Sequence, residues 1–384
     1  MMLSKGFEIE IYTGTHDGQI VGLSDRITAN LDGFVREPDS RNVEYTTAPL
    51  CSYERLLCDL LVPRLRLRQY LKTLGPYTLV PGGTLALGGS DRFYRSDPAN
   101  PYHAYIERTY GTKVVTASVH INIGIADPEL LMRACRLVRV EAPLYLALSA
   151  SSPFLDGEPT GFHSTRWHLF PQTPDRVPLF ESHAHFIRWT EEQLELGTMQ
   201  NVRHLWSSVR PNGDCRPYNL NRLEMRICDP VINPLALLAI TALLEARLCQ
   251  LMDDPSLDPL TASLLPATTR NDDLLSLTLA NEMAVARHSL DASLRHWQDG
   301  RTIKARDWIA QLYAELRPIA KERGFSCFLS PLQRILREGN AAQQWLQQVE
   351  TGHSCQAVVA QAIQEAQQWE RELADQTCQG SLVA

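Results

Sequence analysis

Two glutamates separated by a single residue, Glu8 and Glu10, stand in Phe7-Glu8-Ile9-Glu10-Ile11-Tyr12. At the two-residue period of a β-strand, Phe7, Ile9 and Ile11 share one face and Glu8, Glu10 and Tyr12 the other. A rise of roughly 3.3 Å per residue puts the two carboxylates about 7 Å apart. Like charges that close repel unless a cation lies between or beside them. A solvated face of an edge strand and one wall of a cation site both fit this stretch, so the rest of the chain must separate them.

Three further stretches repeat the device. Glu44 alternates with Val43 and Tyr45, and Thr46 follows. In Val119-His120-Ile121-Asn122-Ile123-Gly124-Ile125, His120, Asn122 and Gly124 oppose four apolar residues. In Leu223-Glu224-Met225-Arg226-Ile227, Glu224 and Arg226 share the polar side. If the four segments are neighbours, their polar faces combine Glu8, Glu10, Glu44, His120, Asn122, Glu224 and Arg226. Carboxylates with one imidazole suit hard divalent ions: Mg²⁺ or Mn²⁺ takes one or two carboxylates and completes its shell with water and phosphate oxygens. Several such ions together imply a nucleoside triphosphate whose transferred phosphoryl group needs neutralising. A polar sheet surface of paired Glu and Arg is the alternative.

Other motifs offer less. Gly82-Gly83-Thr84 and Gly88-Gly89-Ser90 lack the spacing and lysine of a Walker loop and read as ordinary turns, with loops over phosphates as the alternative. His183-Ala184-His185, read as a strand with both imidazoles on one face, together with His163 and His168, keeps a zinc hydrolase as a rival. There is no G-x-S-x-G elbow. Cys51 and Cys228 read as small buried hydrophobes rather than nucleophiles.

The elements that must position these residues divide the chain of 384 residues. Residues 1–233 mix short alternating segments with Gly-, Pro- and Asp-rich loops. Helical patterns interrupt at Ser52 to Leu74 and Pro128 to Leu148. From Pro234 the composition turns to Leu, Ala, Gln, Glu and Arg at helical spacing, with a nearly all-apolar buried helix over Leu237 to Met252. Amphipathic helices are expected at Asp273 to Gln298, Lys304 to Arg323, Pro331 to Arg337 and Gln356 to Leu373. The expectation is an α+β fold in one domain, a sheet-bearing front over 1–233 with a helical back over 234–384. Each strand has one apolar face, which suits an antiparallel sheet backed by helices.

Composition narrows the class. With 44% hydrophobic and 21% charged residues the chain can bury a globular core. A formal net charge of −7 without a lysine-rich stripe argues against a nucleic-acid partner. No apolar run reaches the roughly 18–20 residues needed to span a bilayer and no leader-like opening stands out, so no membrane association is expected. Nine scattered cysteines without a C-x-x-C pair predict free thiols in a reducing cytoplasm.

Read together, the ordered motifs resemble a known family. Gly6-Phe7-Glu8-Ile9-Glu10, Val43-Glu44-Tyr45-Thr46-Thr47-Ala48-Pro49, Val119-His120-Ile121-Asn122 and Leu223-Glu224-Met225-Arg226-Ile227-Cys228-Asp229 are similar to the motifs of glutamate–cysteine ligases and related carboxylate–amine ligases. Leu148 to Phe154 with Gly157 and Thr160-Gly161 matches a further block. Asn281-Glu282, Ser289 to Ala292 and Ser326 to Gln333 are similar to the cyanobacterial branch. The resemblance implies a curved antiparallel sheet like the glutamine synthetase catalytic domain, its concave face holding ATP and two or three Mg²⁺ ions. It implies glutamate, cysteine and ATP as substrates in the first step of glutathione synthesis, with a γ-glutamyl phosphate intermediate. Carried over, Glu8, His120 and Glu224 hold one ion, Glu10 and Glu44 a second, and Glu37 serves a third. Arg226 contacts the phosphoryl group in flight. Arg166 and Arg210 are the candidates for substrate carboxylates, with Asn122 as a further substrate contact. A sibling ligase using another amine shares all of this chemistry.

Overall fold

The four alternating stretches form four adjacent strands. In the computed structural model, which describes residues 2–377, the first strands are β1 (Lys5–Thr15), β2 (Phe34–Arg36), β3 (Asn42–Thr46), β4 (Tyr77–Val80) and β5 (Val119–Gly124). There follow β6 (Phe154–Leu155), β7 (Glu158–Pro159), β8 (Val209–Asn212) and β9 (Arg222–Met225), then the hairpin β10 (Ser293–Arg295) and β11 (Thr302–Lys304). The main sheet has seven strands in the order β2-β3-β1-β5-β9-β8, with β4 joined to the end of β1. All its pairings are antiparallel. The fold is α+β.

Helices up to the middle of the chain are α1 (Ser24–Asn30), α2 (Tyr53–Leu74), α3 (Pro101–Tyr110), α4 (Pro128–Ser149), α5 (Thr165–Leu169) and α6 (His183–Glu195). The later ones are α7 (Pro234–Asp253), α8 (Pro259–Ala262), α9 (Arg270–His288), α10 (Ala305–Glu322), α11 (Pro331–Glu338), α12 (Ala341–Glu350) and α13 (Cys355–Thr377). The sheet buries its apolar face through Phe7, Ile9, Val43, Tyr45, Ile121, Leu223 and Met225, in one cluster with α2, α4 and α7. Each such large side chain contributes about 1.5–3 kcal/mol, so the strands are held with their acidic side turned away from the core. A second cluster packs α12 and α13 against Tyr12, Val80 and Phe154. There Glu370 of α13 pairs with the buried Arg68 of α2.

Four expectations change. Tyr12, expected beside Glu8 and Glu10, is fully buried and its hydroxyl donates to the Val115 carbonyl, because the chain around residue 115 covers that end of β1. The helix expected over Asp273 to Gln298 stops at His288. Ser289 takes a positive φ of 39°, and the Asn281 side chain holds the backbone of Arg295 with bonds of 2.8 and 2.9 Å, which turns the segment into β10. Cys58 is disulfide-bonded, whereas Cys51, Cys135, Cys215, Cys228, Cys249, Cys327 and Cys355 are free. Cys58 stands beside the end of α13, a proximity only the fold creates; Cys378 lies outside the described residues. The 20-residue α7 is long and apolar enough to cross a membrane, but 78% of its most apolar window is buried inside the protein as the central core helix.

Candidate active site

Strand register assembles the site. β1 sets Glu8 opposite His120 on β5 and Glu10 opposite Glu44 on β3. β9 sets Glu224 opposite Asn122 on one side and Arg210 of β8 on the other. A slip of one residue in any pairing would turn these side chains into the core. Two groups of donors result. Ligand atoms of Glu8, His120 and Glu224 lie within 4.8 Å of one another, and so do those of Glu10, Glu37 and Glu44. Glu37 therefore joins Glu10 and Glu44, where the resemblance gave it a third ion of its own. Just beyond the end of β2, it is carried there by the chain turning back toward β3.

The two groups differ electrostatically. The first is compensated within the protein. His120 Nδ1 shares a hydrogen bond of 2.8 Å with Glu8, and Asn122 donates to the same carboxylate at 3.1 Å. Arg210 grips Glu224 with two bonds of 2.7 and 3.0 Å, Arg226 adds one of 2.7 Å and Asn212 another of 2.7 Å. Burial alone would raise the pKa of Glu224, but Arg210, Arg226 and His120 hold it well below the carboxylate range. Burial and the Glu224 charge push Glu8 upward too, and His120 and Arg226 more than offset them.

Among the described residues no arginine is hydrogen-bonded to the second group, whose nearest imidazole contact is His120 Nε2, 3.9 Å from Glu10. Burial, with the charges of Glu8 and Glu10, pushes Glu44 up to about 8. Burial, Glu10 and Glu44 push Glu37 well up, with Arg226 too weak an influence to reverse it. Glu37 and Glu44 share a side-chain hydrogen bond, so one proton stands where a cation would neutralise both. Glu10 accepts from Ser118 Oγ at 2.7 Å. Oxygen donors crowded together and short of positive charge are the set a hard divalent ion prefers.

Arg226 connects the two groups and lines a cavity of about 330 Å³ together with Glu10, Glu37 and His120. Tyr102, Trp167, Phe170 and Trp206 supply an aromatic wall. Arg226 Nε is buried and has no acceptor among the described residues. A second cavity, of about 570 Å³, borders the first group through Glu8 and Asn122, with Thr46, Thr47 and Arg222 around it. Asn122 Oδ1 is buried and unsatisfied.

Both expected substrate arginines are largely committed elsewhere. Arg210 spends Nε and Nη2 on Glu224 and Nη1 on the carbonyls of Arg203 and Leu205. Arg166 lines the first cavity, but its Nε is on Asp229 at 2.8 Å and its Nη2 on the Arg226 and Ile227 carbonyls. Asp229 is itself buried and accepts from Ser151, Ser152 and Ser164. Gly83 packs on Arg166, where a Cβ would meet the side chain at 3.3 Å, so the first glycine pair serves packing. Residue spacing could not reveal these pairings, since Arg166 reaches an acid on a distant segment and Arg210 finds Glu224 only through the register of β8 against β9. Ser118 was legible, two residues before His120 on the same strand face. Arg203 and Arg216, in loops without periodicity, were not.

The zinc reading loses its geometry. His183 and His185 sit in the first turn of a helix, not on a strand, and His183 Nε2 bonds the Pro217 carbonyl. His163 bonds Ser289 and His168 stacks on Phe162. None of the four belongs to a metal-capable group among the described residues.

Comparison with known proteins places the chain in a family. The sequence profile of Glutamate-cysteine ligase family 2 matches residues 4–376. A protein of Rubrobacter xylanophilus named "Putative glutamate--cysteine ligase 2-1" is 27% identical over 286 residues, 72% of each chain. One from Gloeobacter violaceus named "Putative glutamate--cysteine ligase 2" is 26% identical over 343 residues, 85% of this chain and 86% of its own. Among solved structures, the glutamate–cysteine ligase of Francisella tularensis in complex with AMP superposes with a TM-score of 0.72 at 13% identity, covering 99% of this chain and 93% of that one. The bifunctional glutathione synthetase of Pasteurella multocida gives 0.72 at 16% identity over 97% of this chain and 53% of its own. The chain thus belongs to glutamate–cysteine ligase family 2, and it is an enzyme of the ligase type.

Proposed function

We propose that this ligase joins the γ-carboxylate of L-glutamate to the amine of L-cysteine at the expense of ATP, through a γ-glutamyl phosphate, in the cytoplasm. The observation that carries the reading is the uncompensated Glu10–Glu37–Glu44 group beside Arg226, within a family of glutamate–cysteine ligases. Clustered buried carboxylates cost stability, and a binding scaffold has no use for them. The AMP in the complex named above supports the nucleotide. Glu10, Glu37 and Glu44 would hold one Mg²⁺, and Glu8 and His120 with Glu224 another; Mn²⁺ suits the same donors. When bound, the metal neutralises the triphosphate charge.

The chain's own groups do the rest. Arg226, with one nitrogen on Glu224 and Nε unsatisfied, points a fixed guanidinium at charge developing on the transferring phosphoryl group. Glu224 holds that guanidinium in place, and Arg210 and Asn212 hold Glu224. The aromatic wall excludes water, protecting an acyl phosphate until an amine arrives. Asn122 and Arg166 remain candidates for substrate contact, each with an unused polar atom.

ADP release with ATP, Mg²⁺ and glutamate, with and without cysteine, tests the reading. Release that requires cysteine and yields a γ-glutamyl dipeptide is the expected result. Release indifferent to cysteine but dependent on glutamate would shift the acceptor to another amine. No release with any amino-acid pair would overturn the proposal.

A further inference from the structure

Arginines around the first cavity fall into two classes. Arg36 pairs with Asp25, Arg166 with Asp229, and Arg210 and Arg226 both with Glu224. Arg203 lines the cavity, and its guanidinium has no acceptor among the described residues; its bonds run through the backbone, from its N–H to Asn201 and to its carbonyl from Arg210. Arg216, on the loop joining β8 to β9, has Nη1 shielded from solvent and likewise without an acceptor. The largest charges acting on Arg216 are Arg210, Arg226 and Arg203, which repel it, and Glu224, which attracts it. Burial and that repulsion push its pKa down to about 10. Glu224, the one acid among the main charges acting on Arg216, is already shared between Arg210 and Arg226, which leaves an excess of guanidinium at Arg203 and Arg216. A desolvated cation without a partner is costly, and an arrangement with such an excess is completed by an anion from outside the chain.

The position of the excess says which anion. The acidic donors of the second group come from β1, β3 and the chain just beyond β2, whereas Arg203 and Arg216 flank β8, the strand at the far edge beyond β9. A phosphoryl group in transfer belongs beside Arg226 and the acidic donors. An acyl donor whose reacting carboxylate is held there carries its second carboxylate toward the β8 edge. We infer that Arg203 and Arg216 form the anchor for the non-reacting α-carboxylate of the acyl donor. The inference rests on glutamate being that donor, and it replaces Arg210 in this role.

The test compares L-glutamate with 4-aminobutyrate, which keeps the reacting carboxylate and the amine but lacks the α-carboxylate. Binding of both to the wild-type chain and to Arg203→Gln/Arg216→Gln is measured by calorimetry with Mg²⁺ and a non-hydrolysable ATP analogue, after thermal melts establish that the variant is folded. Wild type should prefer glutamate by about 10–100-fold, the range for a charge-assisted contact. The variant should lose that preference while 4-aminobutyrate binding stays within about twofold of wild type. Arg216→Lys, which keeps the charge, should recover part of it. Equal weakening of both ligands would make the arginines structural and overturn the anchor. Weakened nucleotide analogue with unchanged glutamate would assign the cations to phosphate and overturn it too. Wild type that binds neither amino acid would overturn the glutamate reading itself, a result distinct from glutamate binding that is indifferent to the variant.

Discussion

Replacing Glu44 by Gln should stabilise the metal-free protein while disabling it. Glu44 stands in a group that repels itself, and its pKa is raised from 4.5 to about 8 by burial and by Glu8 and Glu10. Because the folded value exceeds the unfolded one, folding takes up a proton anywhere between the two. The penalty is absent below about pH 4.5, grows as pH rises, and levels off above about pH 8. At pH 7 the full linkage for one carboxylate is about 3 kcal/mol, at 1.36 kcal/mol per unit. Sharing of the proton with Glu37 lowers this to about 1–3 kcal/mol. With an unfolding entropy of about 2.1 cal/mol/K per residue, the variant should melt about 1–4 °C above wild type in chelator at pH 7. The difference should vanish toward pH 5. Adding Mg²⁺ should raise the Tm of wild type more than that of the variant, reversing or closing the gap. Differential scanning fluorimetry across pH 5–8, with and without Mg²⁺, reads all of this. A variant that melts below wild type in chelator at every pH would refute the reasoning, since Glu44 would then be an ordinary satisfied carboxylate.

Further outcomes follow from the same geometry. Arg226→Gln should lower ADP release by about 100-fold or more, the cost of a lost transition-state cation, with ATP-analogue affinity within a few-fold of wild type; unchanged turnover would remove Arg226 from the chemistry. Glu370→Ala strips the partner from Arg68, which is buried beside Arg64. It should destabilise by about 3–5 kcal/mol, read as a lowered denaturation midpoint in urea, and a loss under 1 kcal/mol would show that the pair is well solvated.

Much of the site was legible because strand chemistry is local. Glu8, Glu10, Glu44, His120 and Glu224 each alternate with apolar residues that must go inward, so their direction followed from the period alone. Their grouping also followed, once the four strands proved to be neighbours. Glu37 came from the resemblance alone, as a donor to a third ion, and its place beside Glu10 and Glu44 was not legible, since a position seven residues upstream of Glu44 says nothing about how the chain returns. Arg210 and Arg166 illustrate a different limit. Arginine is the right residue type for a substrate carboxylate, yet whether a given arginine is free depends on which acid the fold brings to it. Glu224 and Asp229 claimed these two.

The sequence by itself determined which faces are buried, hence an antiparallel sheet backed by helices with an acidic polar side. It did so because burial and period-two alternation are properties of neighbouring residues. Tertiary structure alone decided how charge is balanced across that side: among the described residues, a compensated group at Glu224, one at Glu10, Glu37 and Glu44 without an arginine partner, and cations without an acceptor at Arg203 and Arg216. Coulomb interactions depend on distance through space, and register, loop return and helix docking fix those distances between segments that no local pattern relates.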